Sequence, residues 1–387
     1  MPSRRRVLLG QLAANGDCVY ATAVARQIKS DDPECHLTWA IGSAYRQVIM
    51  HNPHVDEVWD IPLEPGDDFV ATWQAFERQA EERRRRGDFD DVYLTQIDPN
   101  NYKNYDGTVR TSIFRGYPKP ITVPVTPVIR LGDDEIERVN AFAVRHRLVG
   151  RGSVVLFECA PRSGQSFVTP AWALDVSRII LDRLPDTLVL MSSPVPANGA
   201  NPAIIDASGL TFREIAELTR YCALFIGCSS GLTWVCTSDV AQPIPMIQVL
   251  TKRAGMLGAV VADLDYWGLP SGHVIEMRDC DKEHAARCAL DVLTEGVAAA
   301  RVKYHEHQGV RFNQYYRLML RRLRDGHFAE VAKSMRYTVK RHGIRKELIT
   351  DLLGVLAART ETRTKHIWRA LVERVLPSRR RTGGDSV

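Results

Sequence analysis

The eight cysteines of this sequence include no Cys-x-x-Cys pair, which removes the usual spacings of a structural zinc site and of a dithiol redox motif. No run of about 20 apolar residues occurs, so no segment reads as membrane-spanning. No Gly-x-Gly-x-x-Gly fingerprint follows the first apolar run, which disfavours a nicotinamide dehydrogenase, and no Gly-Lys-Ser/Thr ending marks a Walker loop. Self-similarity at a solenoid period is absent as well. Cys222, Cys228 and Cys236 lie inside apolar stretches, where a reduced thiol behaves as a small buried hydrophobe, so a reducing compartment is expected. Arg4-Arg5-Arg6 before an apolar run imitates a secretory signal, but Gln11, Asn15 and Asp17 interrupt the roughly 7–15 apolar residues that such a signal needs. That run is expected to be a first β-strand, and the protein is expected in the cytoplasm.

What is present describes a globular chain. At 387 residues, 45% hydrophobic and 25% charged, it is too long for one ordinary core and suits two domains plus an appendage. The charge is unevenly spread. From Arg301 onward there are 21 Lys and Arg against 8 Asp and Glu, whereas the rest of the chain holds 30 against 38. A mildly acidic body with a strongly basic tail points that tail toward an anionic surface or polymer.

Short apolar runs alternate with helical periodicity. Arg6 to Leu12 reads as a buried parallel strand, and Cys18 to Lys29 as the helix after it. Strands at 37–41, 55–61 and 91–95 and helices at 45–51 and 69–86 continue the pattern. Pro118 to Pro127 holds four prolines and reads as an extended stretch. A helix over 133–148 follows, and Gly150-Arg151-Gly152 marks a hinge. The alternation then restarts, with strands at 154–157, 187–191, 223–227 and 244–249 and helices at 171–184 and 212–221. Such βα alternation predicts two doubly wound parallel-sheet domains, 1–149 and 150–309, with a basic helical extension over 310–387. Ligands of such a pair bind in the cleft, at the carboxyl ends of the strands.

Three turns carry candidate chemistry. In Asn15-Gly16-Asp17, after the first strand, Asp17 either faces the cleft as a proton acceptor or caps the following helix. In Gly227-Cys228-Ser229-Ser230-Gly231-Leu232-Thr233 a strand ends in small hydroxyl residues and a helix begins. Ser229, Ser230, Gly231 and Thr233 there suit phosphate oxygens, or form an ordinary capped turn. The loop Ala160 to Phe167 offers Arg162 as a fixed cation, with Ser163 and Ser166 as donors.

At these positions the chain resembles glycosyltransferase family 9, which contains the bacterial ADP-heptose:lipopolysaccharide heptosyltransferases. The phrases that carry the likeness are Gly16-Asp17-Cys18-Val19, His51-Asn52-Pro53-His54-Val55-Asp56-Glu57-Val58, Phe212 to Leu218, Leu224 to Gly227 with Ser230-Gly231, and Gln242-Pro243-Ile244-Pro245. They span residues 6–300. The resemblance implies a GT-B architecture, two Rossmann-like domains facing a cleft, the first on the acceptor side and the second on the nucleotide-sugar side. It implies inverting, metal-independent transfer from a nucleotide-diphosphate sugar to a glycan or glycolipid acceptor, with no cofactor beyond that co-substrate and no nucleic-acid partner. Asp17 matches the family's base, Ser230 and Gly231 its donor-phosphate turn, and Thr211 lies near its nucleotide-facing loop. The family's Asp-Ser/Thr-Gly-x-x-His reads Ser229-Ser230-Gly231-Leu232-Thr233-Trp234 here, losing the acid and the histidine. Its Lys is replaced by Gln165 and its Trp by Phe167, with Arg162 as a substitute cation. Those departures keep open a non-catalytic nucleotide-sugar-binding relative and a nucleotide-sugar epimerase.

Two tripeptides, Asp263-Leu264-Asp265 and Asp279-Cys280-Asp281, match the metal-nucleotide pattern Asp-x-Asp but are short enough to arise by chance, and are expected to be loop acids. Tyr102, Tyr105, Arg110 and Arg115 form an aromatic and basic group that either lines the cleft, with Asn15, as an acceptor site or is a mixed loop. In the tail, 312–324 and 367–376 read as helices. The second has an apolar stripe flanked by Lys365, Arg369 and Arg374, which suits an anionic membrane interface on the cytoplasmic side; alternatively the first packs back on the body and the rest is a solvated helix or a disordered end. Residues from Phe328 onward are expected to be dispensable for donor binding.

Overall fold

The computed structural model describes residues 4–358 apart from 100, 151, 194–195 and 197–200. The first half runs β1 (Arg6–Gly10), α1 (Asn15–Asp31), β2 (His36–Gly42), a 3-10 turn (Ser43–Ile49), β3 (Glu57–Ile61), α2 (Phe69–Arg85), β4 (Asp91–Leu94), α3 (Val109–Phe114) and α4 (Asp133–Arg145). Its strands lie in the order β3-β2-β1-β4, all pairs parallel. The second half runs β5 (Ser153–Glu158), α5 (Pro170–Arg183), β6 (Thr187–Ser192), β7 (Ile204–Asp206), α6 (Glu214–Leu218), β8 (Leu224–Gly227), α7 (Gly231–Val235), β9 (Met246–Leu250), α8 (Val260–Tyr266), β10 (Val274–Arg278), α9 (Lys282–Glu295) and α10 (Val297–Tyr304). Here the order is β10-β9-β8-β5-β6-β7, again parallel throughout.

Both sheets are covered on both faces, which is why their inner strands read as unbroken apolar runs. Val7, Leu8 and Leu9 in β1 and Val155, Leu156 and Phe157 in β5 are buried. The strand order reverses between β1 and β4 in the first sheet and between β5 and β8 in the second. At such switch points successive helices leave to opposite faces and open a crevice at the strand ends. The turns after β1, β5 and β8 therefore rim the space between the domains. This is the expected pair of doubly wound domains.

The basic extension is not an appendage where it is described. The chain returns from α10 to the first domain as α11 (Asn313–Arg324) and α12 (Phe328–His342), and is helical again over 346–358. Tyr315 stacks on Tyr105 with centroids 6.0 Å apart, and Ser334 Oγ donates to the Tyr105 carbonyl at 2.6 Å. The carboxylate of Asp106 is fully buried; it accepts from Thr108 N at 3.0 Å and pairs with Arg115 at 2.8 Å and with Arg341 at 3.9 Å. Arg341 also bonds Thr111, and His342 Nε2 meets the Asp106 carbonyl at 3.1 Å. A buried carboxylate is tolerated only with such partners. Helix α12 thereby seals the first domain. The stripe at 367–376 lies outside the described residues. Among the described residues no helix is long and apolar enough to cross a membrane.

Candidate active site between facing turns

Helix α1 begins at Asn15, three residues earlier than the apolar spacing indicates, with Ala14 as its N-cap and no side-chain cap bond. Asp17 is thus in the first turn of α1 and not its cap. The carboxylate is half-buried and makes no hydrogen bond or ion pair among the described residues. Burial raises its pKa from 3.8 to about 7, because leaving water disfavours the charged form.

Opposite stands the turn between β8 and α7. Gly16, Asp17 and Tyr20 of the first domain and Ser163, Gln165, Ser229, Ser230, Gly231 and Trp234 of the second line one hollow of about 70 Å³. The approach is close enough to require glycine. A Cβ on Gly231 would lie 2.9 Å from Asn15 Cβ and 3.0 Å from Gly16 N, and one on Gly16 would meet Trp234 at 3.3 Å. Both turns also hold a non-glycine residue in the left-handed region, Ala14 at φ 62° and Ser229 at φ 49°. Such conformations cost on the order of 1–3 kcal/mol each and collect at functional sites.

The polar groups of the site divide into those already satisfied and those left open. Ser230 Oγ donates to Glu158 and accepts from Leu232 N at 3.0 Å, so that hydroxyl caps α7. Thr233 is fully buried and bonds Gln248 Oε1 at 3.1 Å, which removes it from any ligand. Thr211 exchanges bonds with Glu214 just before α6 and does not line the hollow. Arg162 is exposed and does not line the hollow. By contrast Ser229 Oγ, Gln165 Oε1, Asn15 Oδ1 and Gln248 Nε2 are buried and have no partner. Unpaired buried polar atoms each cost about 1–3 kcal/mol, and two of these, on Ser229 and Gln165, belong to residues that line the hollow, which suits a polar ligand there. Helix α7 spans only five residues, too short for its dipole to count for much.

Sequence reasoning missed Glu158, at the carboxyl end of β5. It is buried, it accepts from Cys228 N at 3.0 Å and from Ser230, and burial lifts its pKa from 4.5 to about 7 against those two bonds. Its role is to fix the Ser229–Gly231 turn. A carboxylate ending an apolar strand was the available signal.

The remaining acceptor candidates are placed elsewhere. Arg110 is fully buried and bridges the domains, its Nε 2.9 Å from Asp263 in α8. The guanidinium lies over the rings of Tyr20 and Trp234, at 4.5 and 5.3 Å from their centroids. Trp234, at the family's histidine position, thus packs against Tyr20 with centroids 4.8 Å apart. Tyr105 and Arg115 are held by the returning helices, and Tyr102 lies under Arg322. Of the proposed acceptor group, only Asn15 stands at the facing turns. Both Asp-x-Asp tripeptides are structural: Asp263 pairs with Arg110, Asp265 accepts from Ser271, Asp279 accepts from Lys252 N and Asp281 caps α9. No cluster of three or more metal-ligating side chains occurs among the described residues.

Two parallel-sheet domains meeting at paired βα turns define a GT-B-type protein. No protein-family model matches the chain, and no curated protein matches it in sequence. In structure it is similar to a family 9 glycosyltransferase from Veillonella parvula, with a TM-score of 0.54 at 14% identity, covering 75% of this chain and 97% of that one. The E. coli ADP-heptose lipopolysaccharide heptosyltransferase II gives 0.48 at 12% identity, covering 75% and 99%. A UDP-N-acetylglucosamine 2-epimerase gives 0.45 at 10%, covering 84% and 97%. The first of these shows that the chain has the fold of a family 9 glycosyltransferase.

Proposed function

We propose that the protein is an inverting glycosyltransferase that moves a sugar from a nucleotide-diphosphate donor to a hydroxyl of a glycan or glycolipid acceptor. The observation that carries this reading is the unpartnered carboxylate of Asp17 in the same hollow as the open polar atoms of the Ser229–Gly231 turn and Gln165. Asp17 takes the proton of the acceptor hydroxyl as its oxygen attacks the anomeric carbon. The nucleotide diphosphate leaves from the opposite face, so the configuration inverts. Charge grows on the departing phosphate as the bond breaks, and Ser229 Oγ and Ser163, with the exposed Arg162 of the same loop as Ser163, favour that state over the ground state. A donor of this size needs more room than about 70 Å³, since small-molecule sites run to roughly 300–1,000 Å³. Admitting it therefore requires the facing turns to part. The loss of the family's acid and histidine leaves the sugar and the base of the nucleotide unassigned.

The test is Asp17→Asn assayed with saturating donor. Turnover should fall about 10²–10⁴-fold, the usual share of a positioned base, while calorimetry shows nucleotide affinity nearly intact. Undiminished turnover removes Asp17 from the mechanism.

A further inference from the structure

The turn between β8 and α7 is held from the two neighbouring strands by different chemistry. From β9, Gln248 Oε1 accepts from Ser229 N at 2.7 Å and from Thr233 Oγ1 at 3.1 Å. From β5, Glu158 Oε2 accepts from Cys228 N at 3.0 Å and Oε1 accepts from Ser230 Oγ. Each side takes one backbone N–H and one hydroxyl of the same turn. A neutral amide is sufficient on the β9 side, so bracing alone does not call for an acid on the β5 side. Glu158 is buried, and no Lys, Arg or His stands close enough to act on it among the described residues. The titratable groups beside it are the thiols of Cys159 next along its own chain, Cys228 at the end of β8 and Cys236 just past α7. Burial raises all three, so they are neutral near pH 7 and bring no countercharge. On the β6 side the residue in register is Ser192, which does not titrate, and across the hollow the acid is Asp17.

The hydrogen bonds fix where a proton would sit. Oε2 of Glu158 is occupied by Cys228 N, so a proton taken up goes on Oε1, facing Ser230 Oγ. The bond between them then reverses, with Glu158 donating and Ser230 accepting. Ser230 Oγ also accepts from Leu232 N at 3.0 Å, so both its lone pairs are filled and its own hydrogen is released. Ser230 lines the hollow together with Ser163, Ser229 and Gly231, where the diphosphate of the donor would lie. An ionised Glu158 opposes such a ligand twice. It holds the Ser230 hydrogen, and it sets a negative charge behind the turn in surroundings of low dielectric.

We propose, resting on the transferase reading, that Glu158 is a positioning residue which takes a proton from solvent as the nucleotide sugar binds and so turns the Ser230 hydroxyl onto its diphosphate. Burial holds the Glu158 carboxyl at about 7, so both forms are populated near neutral pH and a bound anion favours the protonated one. Calorimetry with UDP-, ADP-, GDP- and dTDP-glucose tests this, because a diphosphate esterified at both ends does not itself titrate near neutral pH. Asp17→Asn is the background, since it removes the other carboxyl of the hollow. With whichever nucleotide sugar binds, that protein should take up about one proton at pH 8, read from the heats in buffers of different ionisation enthalpy. Its affinity should fall about tenfold between pH 6.5 and pH 8.5. Adding Glu158→Gln, whose amide accepts from Cys228 N and donates to Ser230 at every pH, should abolish the uptake and keep the pH 6.5 affinity at pH 8.5. Binding without proton uptake overturns the assignment, and needs no change at position 158 to be seen. A folded Gln variant that keeps the parental pH dependence, or binds more weakly at every pH, overturns it as well and leaves Glu158 a brace alone. If none of the four nucleotide sugars binds at any pH, the donor reading itself falls and this step falls with it.

Discussion

Asp17 and Glu158 are both carboxyls that burial has moved to about 7, but their surroundings differ. Glu158 is spent on the turn that it braces, whereas Asp17 has nothing to hold it. As a base, Asp17 must be ionised, so turnover should climb as pH rises through about 7 and level off above it; a pH–rate profile flat from 6 to 8 would contradict the assignment. The same shift acts on stability in the other direction. Between 3.8 and about 7 the folded state keeps a proton that the unfolded chain has lost, so stability declines across that window and stays lower above it. Asp17→Asn escapes this decline. Its gain in stability over the parent should be larger at pH 8 than at pH 5, measured by denaturant unfolding, even as activity is lost.

At the scale of elements, the decisive contact is between the turns that open α1 and α7. Replacing Gly231 by Ala places a methyl 2.9 Å from Asn15 Cβ, so the turns must part. Displacements approaching 1 Å at a reacting centre cost up to about 10²-fold, so turnover should drop about 10–100-fold with nucleotide affinity closer to normal. Equal losses in both would place the glycine in donor binding. Helix α12 supplies a second expectation. Deleting the chain from Phe328 removes Arg341 from the buried Asp106 and uncovers Tyr105. The truncated protein should unfold with a much lower midpoint or fail to fold, where a mere appendage would leave melting unchanged. Strands with continuous apolar runs and helices with clear period were legible in the sequence because both kinds of signal are local. β10 escaped because it contains Glu276 and Arg278, which look solvated but are buried and paired with each other at 2.6 Å. α1 was read too short because Asn15 and Gly16 carry no apolar side chain to extend the period. The turns that form the site could be picked out for the same local reason. Which of their hydroxyls remain open could not, since Thr233 and Ser230 are taken by Gln248 and Glu158 from other strands.

Across the whole molecule, the two domains are joined by charge as well as by shape. Arg110 and Asp263 face each other across the boundary in a setting where neither reaches bulk water freely; their side chains are 0% and 12% exposed. Burial pushes the Asp263 carboxyl upward and Arg110 opposes it. Arg110→Ala should therefore destabilise by about 3–5 kcal/mol, since it strands a buried carboxylate, whereas Arg110→Met with Asp263→Leu should recover most of that loss. Urea unfolding of the three proteins checks this; an additive double variant would mean the pair is not coupled.

The return of α12 to the first domain has a consequence for the order in which the protein can be made. Tyr105 and Asp106 emerge from the ribosome early, but Ser334 and Arg341, which close over them, follow only after the whole second domain has been translated, with 230 positions separating Thr111 from Arg341. During that interval the amino-terminal sheet is present with a wall missing. Its completion is timed by the last helices, so the second domain, whose strands all lie between Ser153 and Arg278, can be finished first.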